Sequence, residues 1–231
     1  MTPPTPIRRV AQRPRVLDTF CCSGGMAMGF HQAGFDVVGV DIEPQPEYPF
    51  TFVQGDAIDY IRAHGADFDL IHGSPPCQAW SPLNAYNHKT YPELIAPARH
   101  AMRATGRPYV IENVEAAHGQ LLDPVMLCGP MFGLHLYRHR LFETGGFTLT
   151  PPPHSAHQER CTRNGYLPTP GKPFMTITGG RHSRAWQRAA AHAMGTPWIT
   201  TIRGVCEAIP PAYSQHIGTR FLAATDERAA A

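Results

Sequence analysis

The chain has 231 residues, 42% of them hydrophobic, and a formal net charge of +2 at pH 7. This suits one soluble catalytic domain with a small appendage. No run is long or apolar enough to span a membrane. Six cysteines without regular spacing fit a reduced, cytoplasmic protein better than a disulfide framework.

Residues 1–14, with their Thr-Pro repeats, read as a flexible lead-in, and no apolar segment of the signal-peptide kind follows them. Strands are predicted at 15–20, 36–41, 51–54, 68–72 and 108–112, with 125–128 and 140–144 completing a sheet. Helices are predicted at 24–34, ended by Gly34, at 57–63 and at 93–104. This alternation predicts an α/β fold with a mainly parallel sheet covered on both faces. After residue 145 the sequence becomes rich in Arg, His, Pro and Gly, and 146–182 holds no long periodic segment. A helix is predicted from Arg184 to Met194, stopped by Gly195, and a last one from Pro211 to about 224.

The charge is unevenly spread. Residues 18–137 carry thirteen acids against five bases, whereas 144–206 carry seven bases against Glu159 alone. A basic segment beside an acidic body suits phosphate contact, which DNA and RNA share.

Ligands of parallel sheets bind beyond the carboxyl ends of the strands. The turn after Phe20, Asp41, Asp56, Cys77 and Glu112 all fall at such ends. The Gly24-Gly25 turn opens a helix, where backbone N–H groups suit an anionic group. Asp41 can accept hydrogen bonds from ribose hydroxyls, and Asp56 from an adenine amine. A nicotinamide dinucleotide site would want a complete Gly-x-Gly-x-x-Gly, which is missing. Cys77 lies on a Pro-Pro turn after an apolar strand, a placement that suits a nucleophile. The loop from Ala79 to Tyr91 follows it. His154, His157 and Cys161 have tolerable metal-ligand spacing but no convincing fourth ligand, so no metal is assigned.

Taken in order, the Gly-rich turn, Pro76-Cys77-Gln78, Glu112-Asn113-Val114 and Arg138-His139-Arg140 resemble the DNA cytosine C5-methyltransferases. The resemblance covers most of 15–144 and returns at 191–222, with Ala208-Ile209-Pro210-Pro211-Ala212-Tyr213 as its last strong piece. It implies a Rossmann-like, S-adenosylmethionine-dependent methyltransferase fold. A catalytic and cofactor-binding domain would span 15–145 and a small target-recognition region 146–182. Helices in 183–231 would return to the catalytic domain.

The resemblance also implies site roles. Phe20, Gly24, Gly25, Asp41, Ile42, Asp56 and Thr219 would hold S-adenosylmethionine. Cys77 would add to C6 of a flipped-out cytosine, with Glu112 at N3 and Arg138 and Arg140 at the developing negative charge. Gln78, Ser81, Asn113, Thr176, Arg181 and Arg184 would contact the substrate. So small a recognition region implies a short target of about two to four base pairs. The implied partner is double-stranded DNA, bound by a monomer. Three positions depart from the family pattern: Cys22 replaces a glycine, Leu136 a glutamine and Thr219 an asparagine. Two alternatives remain open on these residues: a catalytically weak base-flipping module of the same fold, and a methyltransferase acting on cytosine in RNA.

Overall fold

The computed structural model describes residues 13–80 and 90–230. Seven strands form one sheet: β1 (Arg15–Thr19), β2 (Asp36–Asp41), β3 (Thr51–Gln54), β4 (Leu70–Gly73), β5 (Tyr109–Asn113), β6 (Val125–Leu127) and β7 (Arg140–Gly145). Their order is β3-β2-β1-β4-β5-β7-β6. Pairings among β1 to β5 are parallel, and β7 runs antiparallel to both of its neighbours. Every residue of β4 and β5 is buried, as in a strand covered on both faces.

Among the described residues the α-helices are α1 (Gly25–Ala33), α2 (Ala57–His64), α3 (Ile95–Ala104), α4 (Arg184–Met194), α5 (Ile202–Glu207) and α6 (Pro211–Ala230). Gly34 ends α1 in the left-handed conformation, φ 109°, and its N–H caps the carbonyls of Phe30 and His31. One core packs α1 and α6 against the sheet through Phe30, Phe35, Tyr213, Ile217 and Phe221. A second, containing Ile61, Ile71, Met102 and Ile111, lies under α2 and α3.

A third core is separate from both. Leu136, Met175 and Ile177 pack with Trp186, Met194, Ile199 and Val205. It anchors part of the 146–182 stretch to α4 and α5 although that stretch has only isolated bridges, among them Leu136 with Met175 and Cys161 with Phe174. Leu136 is 1% exposed here. The aliphatic side chain at this position therefore fills a dry contact in which a glutamine amide would need partners.

The C-terminal helix docks through two close approaches. A Cβ on Gly25 would lie 2.3 Å from the Ile209 carbonyl oxygen, and one on Gly29 would lie 1.9 Å from that of Pro211. Ser214 Oγ donates to the Met26 carbonyl at 2.7 Å, and Trp198 Nε1 donates to that of Ser23 at 3.0 Å. On the far side of the sheet, buried Glu143 accepts a bidentate pair from Arg99 at 2.7 and 2.6 Å and a third bond from the Tyr109 hydroxyl at 3.0 Å. That network ties α3 to β5 and β7.

Gly29→Ala should push α6 from α1 and cost about 1–3 kcal/mol, the usual penalty for overpacking. Urea denaturation checks this; unchanged stability would show that the α1–α6 seam is loose.

Candidate active site

At the carboxyl edge of the sheet, an open cavity of ≈ 290 Å³ joins two groups of residues. Phe20, Cys22, Asp41, Ile42 and Glu43 line one end, and Ser74 to Gln78, Glu112 and Arg140 line the other. The first group comes from the ends of β1 and β2, the second from the ends of β4 and β5 and the start of β7.

The turn after β1 is tightly wound. Phe20 and Cys22 both occupy the left-handed region, at φ 54° and 44°. Such a conformation costs a non-glycine residue of order 1–3 kcal/mol and persists where surrounding contacts impose it. Here the Cys22 N–H donates to Asp41 Oδ2 at 3.0 Å, and the Cys21 N–H to the Val40 carbonyl at 3.2 Å. The glycine replaced by Cys22 therefore leaves its conformation behind, held by the end of β2. Gly24 lies at φ 80°, and a Cβ there would sit 2.8 Å from Pro49. The two glycines serve close packing as well as the turn, since Gly25 meets Ile209.

Asp41 accepts a second bond, at Oδ1, from the Glu43 N–H at 3.0 Å. Both carboxylate oxygens are thus aimed by backbone donors, and each keeps acceptor capacity. Ile42 stands beside them, 66% exposed. Asp56 is not among the cavity-lining residues; its Oδ1 caps α2 by accepting from the N–H groups of Ile58 and Asp59, each at 2.9 Å. Thr219 also lies outside the cavity, on an exposed part of α6, with its hydroxyl donating to the Gln215 carbonyl at 2.8 Å.

The Pro75-Pro76 turn is held from β5. Asn113 is buried, and its Nδ2 donates to the Pro75 carbonyl at 2.9 Å. Its amide orients the Pro75-Pro76 turn that leads into Cys77. Cys77 follows, half-buried, and its carbonyl accepts from the Trp80 N–H at 3.0 Å. Gln78 is exposed at the cavity wall, while Ser81 and most of the loop to Tyr91 lie outside the described residues.

Glu112 and Arg140 form an ion pair across the β5–β7 end, Oε1 to Nε 3.1 Å, with Glu112 nearly buried. Burial pushes the Cys77 thiol above its ordinary range, the Glu112 carboxylate adds to the rise, and the charge of Arg140 opposes it. Beneath the site, His72 Nδ1 lies 2.7 Å from Asp18 Oδ1 with both side chains 1% exposed. Ser74 Oγ, 3.4 Å from His72 Nε2, links that buried pair to the cavity wall.

Arg138 has a different setting from Arg140. It is buried, and its guanidinium donates to the carbonyls of Ile177 at 3.1 Å and Cys206 at 2.7 Å. Its own carbonyl accepts from the Tyr213 hydroxyl at 2.7 Å. Burial, and after it the charge of Arg140, lowers its pKa to about 9, which leaves it charged at neutral pH. Arg138 buckles three separate segments together and does not line the Cys77 cavity. Thr176 is likewise engaged, its Oγ1 donating to the Thr162 carbonyl at 2.6 Å. Arg181 and Arg184 are exposed, Arg181 beside Arg203 and Glu207.

Sequence reasoning missed Arg203, Cys206 and Glu207, which bring α5 to the cavity. Arg203 Nε donates to Glu207 Oε1 at 2.8 Å. The only local signal was Thr201 before a short apolar-polar run, where its hydroxyl caps α5 by accepting from the Gly204 N–H at 3.2 Å.

Residues 14–116 match the family described as C-5 cytosine-specific DNA methylase. The Type II methyltransferase M.HgiDI of Herpetosiphon aurantiacus is 27% identical over 239 residues, covering 87% of this chain and 75% of that protein. M.XorII of Xanthomonas oryzae pv. oryzae, also a Type II methyltransferase, is 32% identical over 136 residues, covering 49% of this chain and 32% of that protein. Among solved structures, a candidate DNA modification methyltransferase from an E. coli prophage superposes with a TM-score of 0.66 at 15% identity, over 92% of this chain and 99% of that one. Over residues 14–116 the chain is thus similar to the C-5 cytosine-specific DNA methylases.

Proposed function

We propose that Cys77 carries out the cytosine C5 methylation of this family by covalent addition, with Glu112 and Arg140 as its electrostatic partners. The observation that carries the reading is the convergence of these three side chains on one cavity, continuous with Asp41 and Ile42.

S-adenosylmethionine is the family's methyl donor and supplies an electrophilic methyl group on a sulfonium. The residues present fit it. The backbone-aimed carboxylate of Asp41 suits ribose hydroxyls. Ile42, 66% exposed beside the cavity, offers an apolar face that an adenine ring would cover. Phe20 lines the same end of the cavity.

At the other end, the Cys77 thiolate donates an electron pair to C6 of the target cytosine. The C5–C6 π pair then becomes available at C5, and negative charge spreads towards N3 and O2. Arg140 faces that charge, and Glu112 holds a proton shared with N3. Bound S-adenosylmethionine would supply its methyl group to that C5 pair, the carbon–sulfur bonding electrons leaving with its sulfur. Loss of the C5 proton to water returns a pair to the ring and expels the Cys77 thiolate. Asn113 and Arg138 are positioning residues in this scheme: one fixes the nucleophile turn, the other the approach to Arg140.

A base within a duplex is out of reach of this cavity, so the reading requires the cytosine to be flipped out. The reading takes double-stranded DNA as substrate and the chain as a cytoplasmic monomer. The seven bases of residues 144–206 support phosphate contact, since all are exposed. Tyr166, 61% exposed, and Leu167, 46% exposed, are near them in sequence and suit contact with unstacked bases.

Cys77→Ser should abolish methyl transfer to duplex DNA while leaving cofactor binding intact, with labelled-methyl incorporation as the measurement. Turnover near the wild-type rate would remove the thiol from the mechanism.

Asp41→Ala should weaken S-adenosylmethionine by about 1–3 kcal/mol, the usual loss for hydrogen bonds to a charged acceptor. Titration calorimetry reads this directly, and unchanged affinity would move the ribose contact elsewhere.

Only the thiolate attacks, and its pKa is raised. The single-turnover rate should therefore climb as pH increases from neutral towards the thiol range. A flat profile would contradict attack by a thiolate drawn from this raised equilibrium.

A further inference from the structure

A second cluster of chemically active side chains lies outside the cavity. Cys128, His139, His154 and His157 each turn one donor atom inward, and these four atoms lie within 4.8 Å of one another. They come from three parts of the chain. Cys128 follows β6, His139 precedes β7, and His154 and His157 belong to the irregular stretch beyond β7.

The spacing is near that of a coordination shell. His157 Nε2 lies 3.0 Å from His154 Nε2, 3.3 Å from His139 Nε2 and 3.4 Å from Cys128 Sγ. Zinc bonds of ~2.0–2.3 Å put neighbouring donors in a tetrahedron roughly 3.3–3.8 Å apart. Hydrogen bonds alone do not account for the arrangement. A neutral imidazole nitrogen carries at most one hydrogen, so His157 Nε2 can donate to only one of three neighbours.

The surroundings prepare the ligands. His139 Nδ1 lies 2.9 Å from Glu115 Oε1. An ionised carboxylate only accepts, so Nδ1 keeps the hydrogen and Nε2 presents its lone pair inward. This is the carboxylate–histidine arrangement that orients metal ligands. Tyr137 stacks on the His157 ring at 3.7 Å and 13°. Cys128 is buried, while His154 and His157 are exposed, so an ion has a route in from solvent.

We infer that Cys128, His139, His154 and His157 form a structural zinc site that staples residues 154–157 to the β6–β7 end of the catalytic sheet. One thiolate and three imidazoles in a tetrahedral arrangement suit zinc, and four protein donors leave no open position for chemistry. The ligand set differs from the His154–His157–Cys161 spacing visible in the sequence. Cys161 instead bridges to Phe174, and strand pairing supplies Cys128 and His139. Because His139 lies between Arg138 and Arg140, the ion would also fix the segment that delivers Arg140. The site stands independently of the methyl-transfer reading.

The test is elemental analysis of the full chain, purified, incubated with zinc and then passed through a desalting column. One zinc per chain is expected in the wild type and in Cys161→Ser, falling to background in Cys128→Ser and in His154→Ala. His154→Ala removes an exposed side chain, so its circular dichroism should stay native. Cobalt substitution should give a thiolate-to-metal charge-transfer band that Cys128→Ser abolishes. Chelation should lower the wild-type melting temperature and leave that of His154→Ala unchanged. Substoichiometric zinc in the wild type would overturn the proposal, as would zinc retained by Cys128→Ser or lost from Cys161→Ser.

Discussion

One strand running against the others makes this site possible. Parallel strands deliver their carboxyl ends to a common edge, so β1, β2, β4 and β5 bring the turn after Phe20, Asp41, Cys77 and Glu112 to one side. A residue at the start of a parallel strand would lie at the opposite edge. β7 is antiparallel, and its first residue, Arg140, therefore arrives beside Glu112. Register fixes the meeting: Glu112 pairs with Phe142 and Asn113 with Leu141. A slip of one residue would turn Arg140 to the other face. The ion pair that bears on the Cys77 thiol is a consequence of topology.

Around that pair, most polar side chains hold backbone in place. Asn113 secures the proline turn, Arg138 ties three segments, and Asp41 holds the strained turn at Cys22. The buried Tyr48–Asp18–His72 chain does the same beneath β1 and β4, with burial raising the pKa of Asp18 and His72 partly offsetting it. Free energy is spent on a fixed array of donors and charges before any substrate arrives, which is how electrostatic stabilisation acts without reorganisation.

The strands were legible because buried parallel strands leave short apolar runs bounded by turn residues, and all seven lie close to their predicted ranges. Cys77, Glu112 and Arg140 stand where an apolar run stops or starts, but their proposed roles came from the order of motifs that resembles a known family, since each alone reads as well as core or exposed polar residue. What a polar residue does there was less legible. Arg138 and Arg140 differ by two positions, yet one buckles loops and the other faces the thiol, because carbonyls from Ile177 and Cys206, distant in sequence, capture the first. Asp56 and Thr176 looked like contact residues and are engaged by a helix terminus and by Thr162. The third core was hidden because only α4 gives it a periodic face, Trp186, Ala190, Ala191 and Met194, while its other members are scattered from Leu136 to Ala208. The same scattering concealed the histidine–cysteine cluster, in which the β6–β7 pairing joins Cys128 to His139 and the irregular stretch beyond β7 adds His154 and His157.

Cys77, the proposed nucleophile, shares its cavity with a charge pair brought together by the reversed strand. The most direct test of that role is covalent capture. Duplex DNA carrying 5-fluorocytosine at the target position blocks the final elimination, because fluorine cannot leave as a proton does. Incubated with S-adenosylmethionine, the chain should form a denaturation-resistant adduct, and peptide mass spectrometry should place the modified base on Cys77. An adduct on another cysteine, or methylation of ordinary DNA with no adduct on the fluorinated one, would contradict it.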